Sequence, residues 1–217
     1  MIRIGITQRV EQVEAYDERR DCLDQAWMPL LAGIGIDAVA IPNSLPDVLA
    51  WVSRQSLDGL LLSGGNDLAT LPNATNSAAE RDACELDLLG WAENEALPVL
   101  GVCRGLQMIN TYCGGGLSPV TGHAEGPHAV EGSADNRVFA GYSAVNSFHN
   151  WGIRAGDLAS ELNTMVTAFD RTVEAVVHTR LPWLGIMWHP ERDNGAAADH
   201  DAALLKHVFD PDRRGVS

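Results

Sequence analysis

Basic residues are scarce in this chain: Lys+Arg 15 stand against Asp+Glu 29, a formal net charge of −14 over 217 residues, and Lys206 is the only lysine. A chain with a sequence pI of about 4.7 repels phosphate backbones and anionic lipid headgroups, which disfavours nucleic-acid or membrane binding as a main role. Positive contacts to an anionic ligand must then be local. Long apolar runs are also missing, and none reaches the roughly 20 residues that a bilayer-spanning helix needs. Met1 to Thr7 reads as a short apolar strand instead of a charged segment followed by a long hydrophobic one, so no secretory signal is expected. The four cysteines, Cys22, Cys84, Cys103 and Cys113, have no CxxC spacing, and the chain is large enough to build a core without staples. Reduced thiols and a cytoplasmic location are expected. Repeats, low-complexity tracts and linkers are absent.

What is present is an alternation of short apolar runs with longer amphipathic stretches, the pattern of a parallel sheet covered by helices. The runs are Ile2 to Thr7, Ala38 to Ile41, Gly59 to Leu62, Val99 to Val102, Val173 to Val177 and Leu184 to Met187. Helical spacing marks Arg19 to Leu31, Pro46 to Ser53 and Ala79 to Glu95, the last with a capping box of Ser77 and Glu80. Another helix should follow Cys103 and stop at Gly114-Gly115-Gly116, and Asp199 to Val208 should form the last. Leu117 to Arg137, rich in Gly, Pro, His and Ser, reads as a long functional loop or a pair of short excursions. The expected architecture is one doubly wound α/β domain over residues 1–217, with a mostly parallel central sheet and ligands at the carboxyl ends of its strands.

Three strand ends carry chemistry. Pro98-Val99-Leu100-Gly101-Val102-Cys103-Arg104-Gly105 is a buried strand entering a Gly-x-Cys-x-Gly turn and a helix, the thiol form of a nucleophile elbow. Glycines on both sides let strand and helix pack closely, and the helix N-terminus beneath the sulfur favours the thiolate. Cys22, Cys84 and Cys113 lack that setting and read as structural. A thiolate needs a base and an orienter for that base. His189 and Glu191, with Pro190 fixing the bend between them, follow the strand Leu184 to Met187. Leu60-Leu61-Leu62-Ser63-Gly64-Gly65-Asn66-Asp67 is a third strand end, whose tandem glycines can aim a backbone N–H at an oxyanion. The N–H of Arg104 would be the second donor.

Together these pieces resemble the class I glutamine amidotransferase superfamily, in its γ-glutamyl hydrolase branch. The matching text is Ser63 to Asp67, Arg81-Asp82 with Glu85, Gly101 to Asn110, Gly114 to Leu117, Val145 to Asn150 and His189-Pro190-Glu191, nearly the whole chain. Within the branch, Gly5 to Arg9, Asn146 to Asn150 and the compact length are most similar to the γ-glutamyl-CDP-amidate hydrolases of capsule phosphoramidate biosynthesis, with γ-glutamyl-γ-aminobutyrate hydrolases a broader neighbour. The resemblance implies a flavodoxin-like, glutamine amidotransferase-like sheet, Cys103 as nucleophile, His189 as general base and acid, and Glu191 as orienter. It also implies an oxyanion hole at Gly65 and Arg104, and binding of the glutamyl head by Gln107, Asn146, Ser147 and His149. Gly-Gly-Asn-Asp stands where ammonia-donating glutaminase domains usually have Gly-Gly-Pro, which favours hydrolases.

The expected reaction is cysteine-dependent hydrolysis of a γ-glutamyl amide to release glutamate, most of all from γ-glutamyl-CDP-amidate. Two alternatives stay open: a glutaminase subunit feeding ammonia to a separate synthase chain, and a γ-glutamyl-γ-aminobutyrate hydrolase. A non-catalytic protein on the same fold is a third class. The partner expected is a small γ-glutamyl molecule, with a homo-oligomer left open and a synthase partner only under the glutaminase reading. Arg9, Arg19, Arg20, Arg104 and Arg192 are candidates for an anionic leaving group, each also able to serve as a surface ion pair. His123 and His128 read as solvent-exposed loop residues ahead of leaving-group contacts. The seven histidines lack His-x-x-x-His spacing on an expected helix, so neither a metal nor another cofactor is expected.

Overall fold

The structure is a computed structural model that describes residues 1–132, 136, 138–193, 195 and 197–210. Its strands are β1 (Ile2–Thr7), β2 (Arg9–Val13), β3 (Glu18–Cys22), β4 (Ile36–Ile41), β5 (Gly59–Leu62), β6 (Val99–Val102), β7 (Ser118–Pro119), β8 (His128–Gly132), β9 (Ala144–Val145), β10 (Trp151–Gly152), β11 (Leu162–Ala168), β12 (Val173–His178) and β13 (Trp183–Ile186). The helices are α1 (Trp27–Gly33), α2 (Val48–Val52), α3 (Ala79–Asn94), α4 (Arg104–Tyr112) and α5 (Ala198–Phe209).

The main sheet has nine strands in the order β4-β1-β5-β6-β13-β12-β11-β8-β9. From β4 to β13 all neighbours pair in parallel, while β12, β11, β8 and β9 extend the sheet by antiparallel pairing. Ranked by sequence, the five parallel strands follow the order 2-1-3-4-5 of a flavodoxin-like sheet, and the chain is an α/β protein with a large mixed, mostly parallel sheet. Parallel strands covered on both faces must be apolar throughout. Every residue of β5, β6 and β13 is buried. Successive side chains point to opposite faces, so Leu60 and Leu62 join a core with α2, α3 and α4, while Leu61 joins a second core with α1 and α5.

The expected helix from Arg19 to Leu31 is corrected. Residues 18–22 form β3, paired with β2 in a separate two-stranded hairpin, and the helix begins only at Trp27. Arg19, Arg20 and Asp21 supply no apolar stripe, and Pro29 is tolerated only in a first turn, so it confines the helix to a late start. The Ser77 and Glu80 capping box is also absent: the N-cap is Ala78, without a side-chain bond, and Glu80 pairs with Arg19 of the hairpin. Residues 117–137 take the form of short excursions, with β7 and β8 inside them; residues 133–135 and 137 lie outside the described residues. Among the described residues no helix is long and apolar enough to cross a membrane.

Candidate active site

The elbow follows from two glycines. A Cβ on Gly101 would meet the Gly105 carbonyl carbon at 2.6 Å, and one on Gly105 would collide with the Leu62 carbonyl, so only glycine lets α4 start this close to β5 and β6. Between them Cys103 takes φ 52°, ψ −105°, a left-handed setting that costs a non-glycine residue about 1–3 kcal/mol. The Cys103 N–H donates to the Ile186 carbonyl at 2.7 Å, which ties the elbow to β13.

β13 then delivers the second group. Pro190 opens a short turn over Pro190–Arg192, which swings Glu191 back until its Oε1 lies 2.7 Å from His189 Nδ1. Asn146 holds the His189 backbone from both sides: its Oδ1 accepts from His189 N at 2.8 Å and its Nδ2 donates to His189 O at 2.8 Å. Burial pulls the imidazole pKa down, but the Cys103 charge and hydrogen bonds to Cys103 and Glu191 outweigh it and carry His189 up to about 9. A histidine so raised stays protonated at neutral pH beside the sulfur.

The third strand end, after β5, lies against that ring. A Cβ on Gly64 would meet His189 Cε1 at 2.5 Å, and Gly65 adopts φ +84°. The loop is held from behind by Arg81, fully buried, which donates to the carbonyls of Ser63, Gly64 and Gly65. At its two ends the loop is also held by the Ser63 N–H, which donates to Thr7 Oγ1 at 3.0 Å, and the Asp67 N–H, which donates to the Asn76 carbonyl at 2.8 Å. Arg81 Nε donates to Glu85 Oε1 at 2.9 Å, and the Arg104 guanidinium bonds to Glu85 Oε2 and to Asp82. Burial lowers Arg81 to about 10 against the pull of Glu85. Burial raises Glu85, but the two guanidinium groups outweigh it and hold the carboxyl below its ordinary value.

Cys103, Gly65, Arg104, Gln107, His149 and His189 meet at one cavity of about 220 Å³, with Asn66, Asp67, Asn76, Phe148, Asn150 and Trp151 in its walls. Gln107 Nε2 donates to the Trp151 carbonyl at 2.8 Å. A second cavity of about 220 Å³ opens on the other side of His189, walled by Cys22, Asp24 and Trp27 from the hairpin and α1 and by Gly64 and Glu191. Arg9, His189 and Arg192 border both. Phe148, 48% exposed, stands edge-on to His189, and the Arg192 guanidinium carbon lies 4.8 Å from its ring centroid.

Not every expected residue reaches the cavity. Asn146 is engaged with the His189 backbone, and Ser147 is buried and donates to the His123 carbonyl. Of the five arginines, Arg19 and Arg20 pair on the surface with Glu80 and Glu18, the Arg104 guanidinium is buried with Glu85 and Asp82, and Arg9 and Arg192 remain at the rim. His123 and His128 are corrected: both side chains are buried, with 2% and 8% exposed. Phe148, Trp151 and the hairpin wall were missed; the first two sit inside the Val145 to Gly152 text that the sequence had marked up to Asn150.

A fold of this order with a thiol elbow, a buried imidazole–carboxylate pair and a glycine loop around one cavity defines a class. The Peptidase C26 model matches residues 3–191, and the chain belongs to that family. It is 35% identical over 208 residues to the γ-glutamyl-CDP-amidate hydrolase of Campylobacter jejuni, covering 95% of this chain and 96% of that protein. It is 28% identical to one subunit of the glutamine-hydrolyzing GMP synthase of Picrophilus torridus, over 83% of this chain and 88% of that protein. Among solved structures, a Thermoplasma acidophilum protein provisionally named as a GMP synthase subunit superposes with a TM-score of 0.74 at 19% identity, covering 99% of this chain and 96% of that one, a likeness of fold.

Proposed function

We propose that this protein hydrolyses a γ-glutamyl amide through Cys103, His189 and Glu191, releasing glutamate, with γ-glutamyl-CDP-amidate as substrate and cytidine diphosphoramidate, a capsule phosphoramidate precursor, as the other product. The observation that carries the reading is the 2.7 Å contact of His189 Nδ1 with Glu191 beside a cavity bordered by Cys103, Gly65 and Arg104. The Cys103 thiolate attacks the γ-carbonyl carbon. The oxyanion accepts from the N–H groups of Gly65 and Arg104, where one donor is worth on the order of 10²-fold in rate. His189 gives its proton to the departing nitrogen, the C–N bond breaks and a thioester remains. Water then gives a proton to His189, attacks the thioester carbon, and glutamate leaves Cys103.

The glutamyl head sits in the cavity of Gln107, whose carbonyl oxygen accepts from the α-ammonium while its amide nitrogen stays on Trp151. Asn146 acts as a positioning residue for His189. The leaving group departs toward the cavity walled by the hairpin, where Arg9 and Arg192 meet its phosphates. The chain works as one domain in the cytoplasm, in keeping with its free thiols. The likeness to part of a GMP synthase supports a second reading, in which free glutamine is the substrate and a partner chain consumes the ammonia.

The test is glutamate release by the purified protein alone from γ-glutamyl-CDP-amidate, γ-glutamyl-γ-aminobutyrate and glutamine. Turnover of the first well above glutamine, reduced by about 10⁴-fold or more in Cys103→Ala, is the expected result. Glutamine turnover that rises only with an added synthase chain would favour the second reading, and unchanged turnover in Cys103→Ala would refute the nucleophile.

A further inference from the structure

The four polar side chains behind the cavity do not satisfy one another. Glu174, on β12, is fully buried, and neither of its carboxylate oxygens has a hydrogen-bond partner. Three imidazoles close on its Oε1: His123 Nδ1 at 3.3 Å, His128 Nε2 at 3.4 Å and His149 Nε2 at 3.7 Å. None of those three nitrogens has a hydrogen-bond partner either. Buried polar groups left in this way cost about 1–3 kcal/mol each, so four together call for an atom that joins them.

A tetrahedral metal ion supplies the missing geometry. With metal–nitrogen and metal–oxygen bonds of about 2.0–2.1 Å, neighbouring ligand atoms stand about 3.3–3.4 Å apart, which matches the spacings of His123 and His128 from Glu174. One ligand atom from each of His123, His128 and Glu174 lies within 4.8 Å of the others. The outer contacts of two of the three imidazoles also fit a metal site, in which a ligating imidazole engages its second nitrogen with a carboxylate or carbonyl, while His128 Nδ1 has no such partner. His123 Nε2 is 3.2 Å from Asp170 Oδ2, and His149 Nδ1 is 3.0 Å from the Trp151 carbonyl. The second group of ligand type among the described residues, Cys113, Glu161 and His178, differs, because His178 Nδ1 already accepts from the N–H groups of Arg180 and Leu181.

We propose that His123, His128 and Glu174 bind one zinc ion and that His149, 3.7 Å from Glu174 Oε1, closes on it as the fourth ligand. Imidazole and carboxylate donors suit zinc, and four protein ligands leave no position for a reactive water, so the ion is structural. It fastens the excursion carrying His123 and His128, the loop carrying His149 and strand β12 to one point. His149 also borders the Cys103 cavity, so the ion lies next to that cavity without taking part in the amide chemistry.

The test is metal content. Protein purified after expression in zinc-supplemented medium should contain about one zinc per chain by plasma mass spectrometry, and Cys103→Ala should keep it. Single His128→Gln and Glu174→Gln proteins, shown to be folded by circular dichroism, should retain less than a tenth of it. Chelator-treated wild type refilled with Co²⁺ should show the strong visible absorption of a tetrahedral cobalt site. Wild type that takes up neither Zn²⁺ nor Co²⁺, or a folded His128→Gln protein that keeps a full equivalent, would overturn the proposal.

Discussion

Two buried glutamates, one on each side of the cavity, have opposite surroundings. Glu85, under the glycine loop, is fully buried and accepts from Arg81 at Oε1 and from Arg104 at Oε2. Glu174, under the His149 loop, is just as buried and has a hydrogen bond at neither oxygen. Glu191 lies between these extremes, with Oε1 on His189 and Oε2 unpartnered. The first environment is complete as protein alone and serves to hold backbone in place. The second faces three imidazoles at 3.3–3.7 Å, and the third has one oxygen on the His189 ring. Burial alone therefore says little about what a carboxylate does; the count of its satisfied oxygens says much more.

The contrast can be broken by substitution. Glu85→Gln leaves Arg81 and Arg104 facing each other without a counter-charge, and should lower the unfolding free energy by about 3–5 kcal/mol, read from the midpoint of urea denaturation. A loss under about 1 kcal/mol would show that the network holds no structure. Glu191→Gln should leave stability near wild type but reduce glutamate release by about 10²-fold or more. It should also move the alkaline limb of the rate. In the wild type that limb should fall as pH rises through about 9, where His189 would lose the proton that the proposed reaction gives to the leaving nitrogen. Because this folded pKa lies above the unfolded value of about 6.5, the same group stabilises the fold fully below about pH 6.5 and ceases to do so as pH passes about 9. Without the Glu191 carboxylate the limb should lie at lower pH; a limb that stays at about 9 would assign it to another group.

Asn146→Ala removes two bonds to the His189 backbone and should slow turnover about 10-fold with the KM little changed, as expected for roughly 1 kcal/mol of positioning. A KM effect alone would return Asn146 to substrate binding. Glu174→Gln, compared with wild type after both are treated with chelator, should cost less stability than Glu85→Gln, because its contacts to His123, His128 and His149 are 3.3–3.7 Å long. A loss equal to that of Glu85→Gln would erase the contrast.

The sheet was legible where its strands are apolar on both faces: β1, β5 and β6 have the bounds that their apolar runs define. β11 was not, since Asn163, Thr164 and Thr167 interrupt its apolar residues and no continuous run remains. β2 and β3 pair outside the main sheet with mostly exposed or half-buried side chains, so neither apolar pattern marks them. At the site, the Cys103 elbow and the His189-Pro190-Glu191 bend are local in sequence and could be found there. The grouping of His123, His128, His149 and Glu174 could not, because 51 positions separate His123 from Glu174 (174 − 123) and only the antiparallel half of the sheet brings them together.

Asn66, the residue after the two glycines, has a wider effect than its place in the loop suggests. At φ 61° it turns its side chain onto β2, where Oδ1 accepts from Val10 N at 2.8 Å and Nδ2 donates to Val10 O at 2.9 Å. A side-chain amide thus acts as a borrowed strand and couples the hairpin wall to the oxyanion loop. Proline has no such amide to offer. Residues 9–22 and 63–67 therefore move as one mechanical unit, so a change at the hairpin wall is transmitted to the glycine loop.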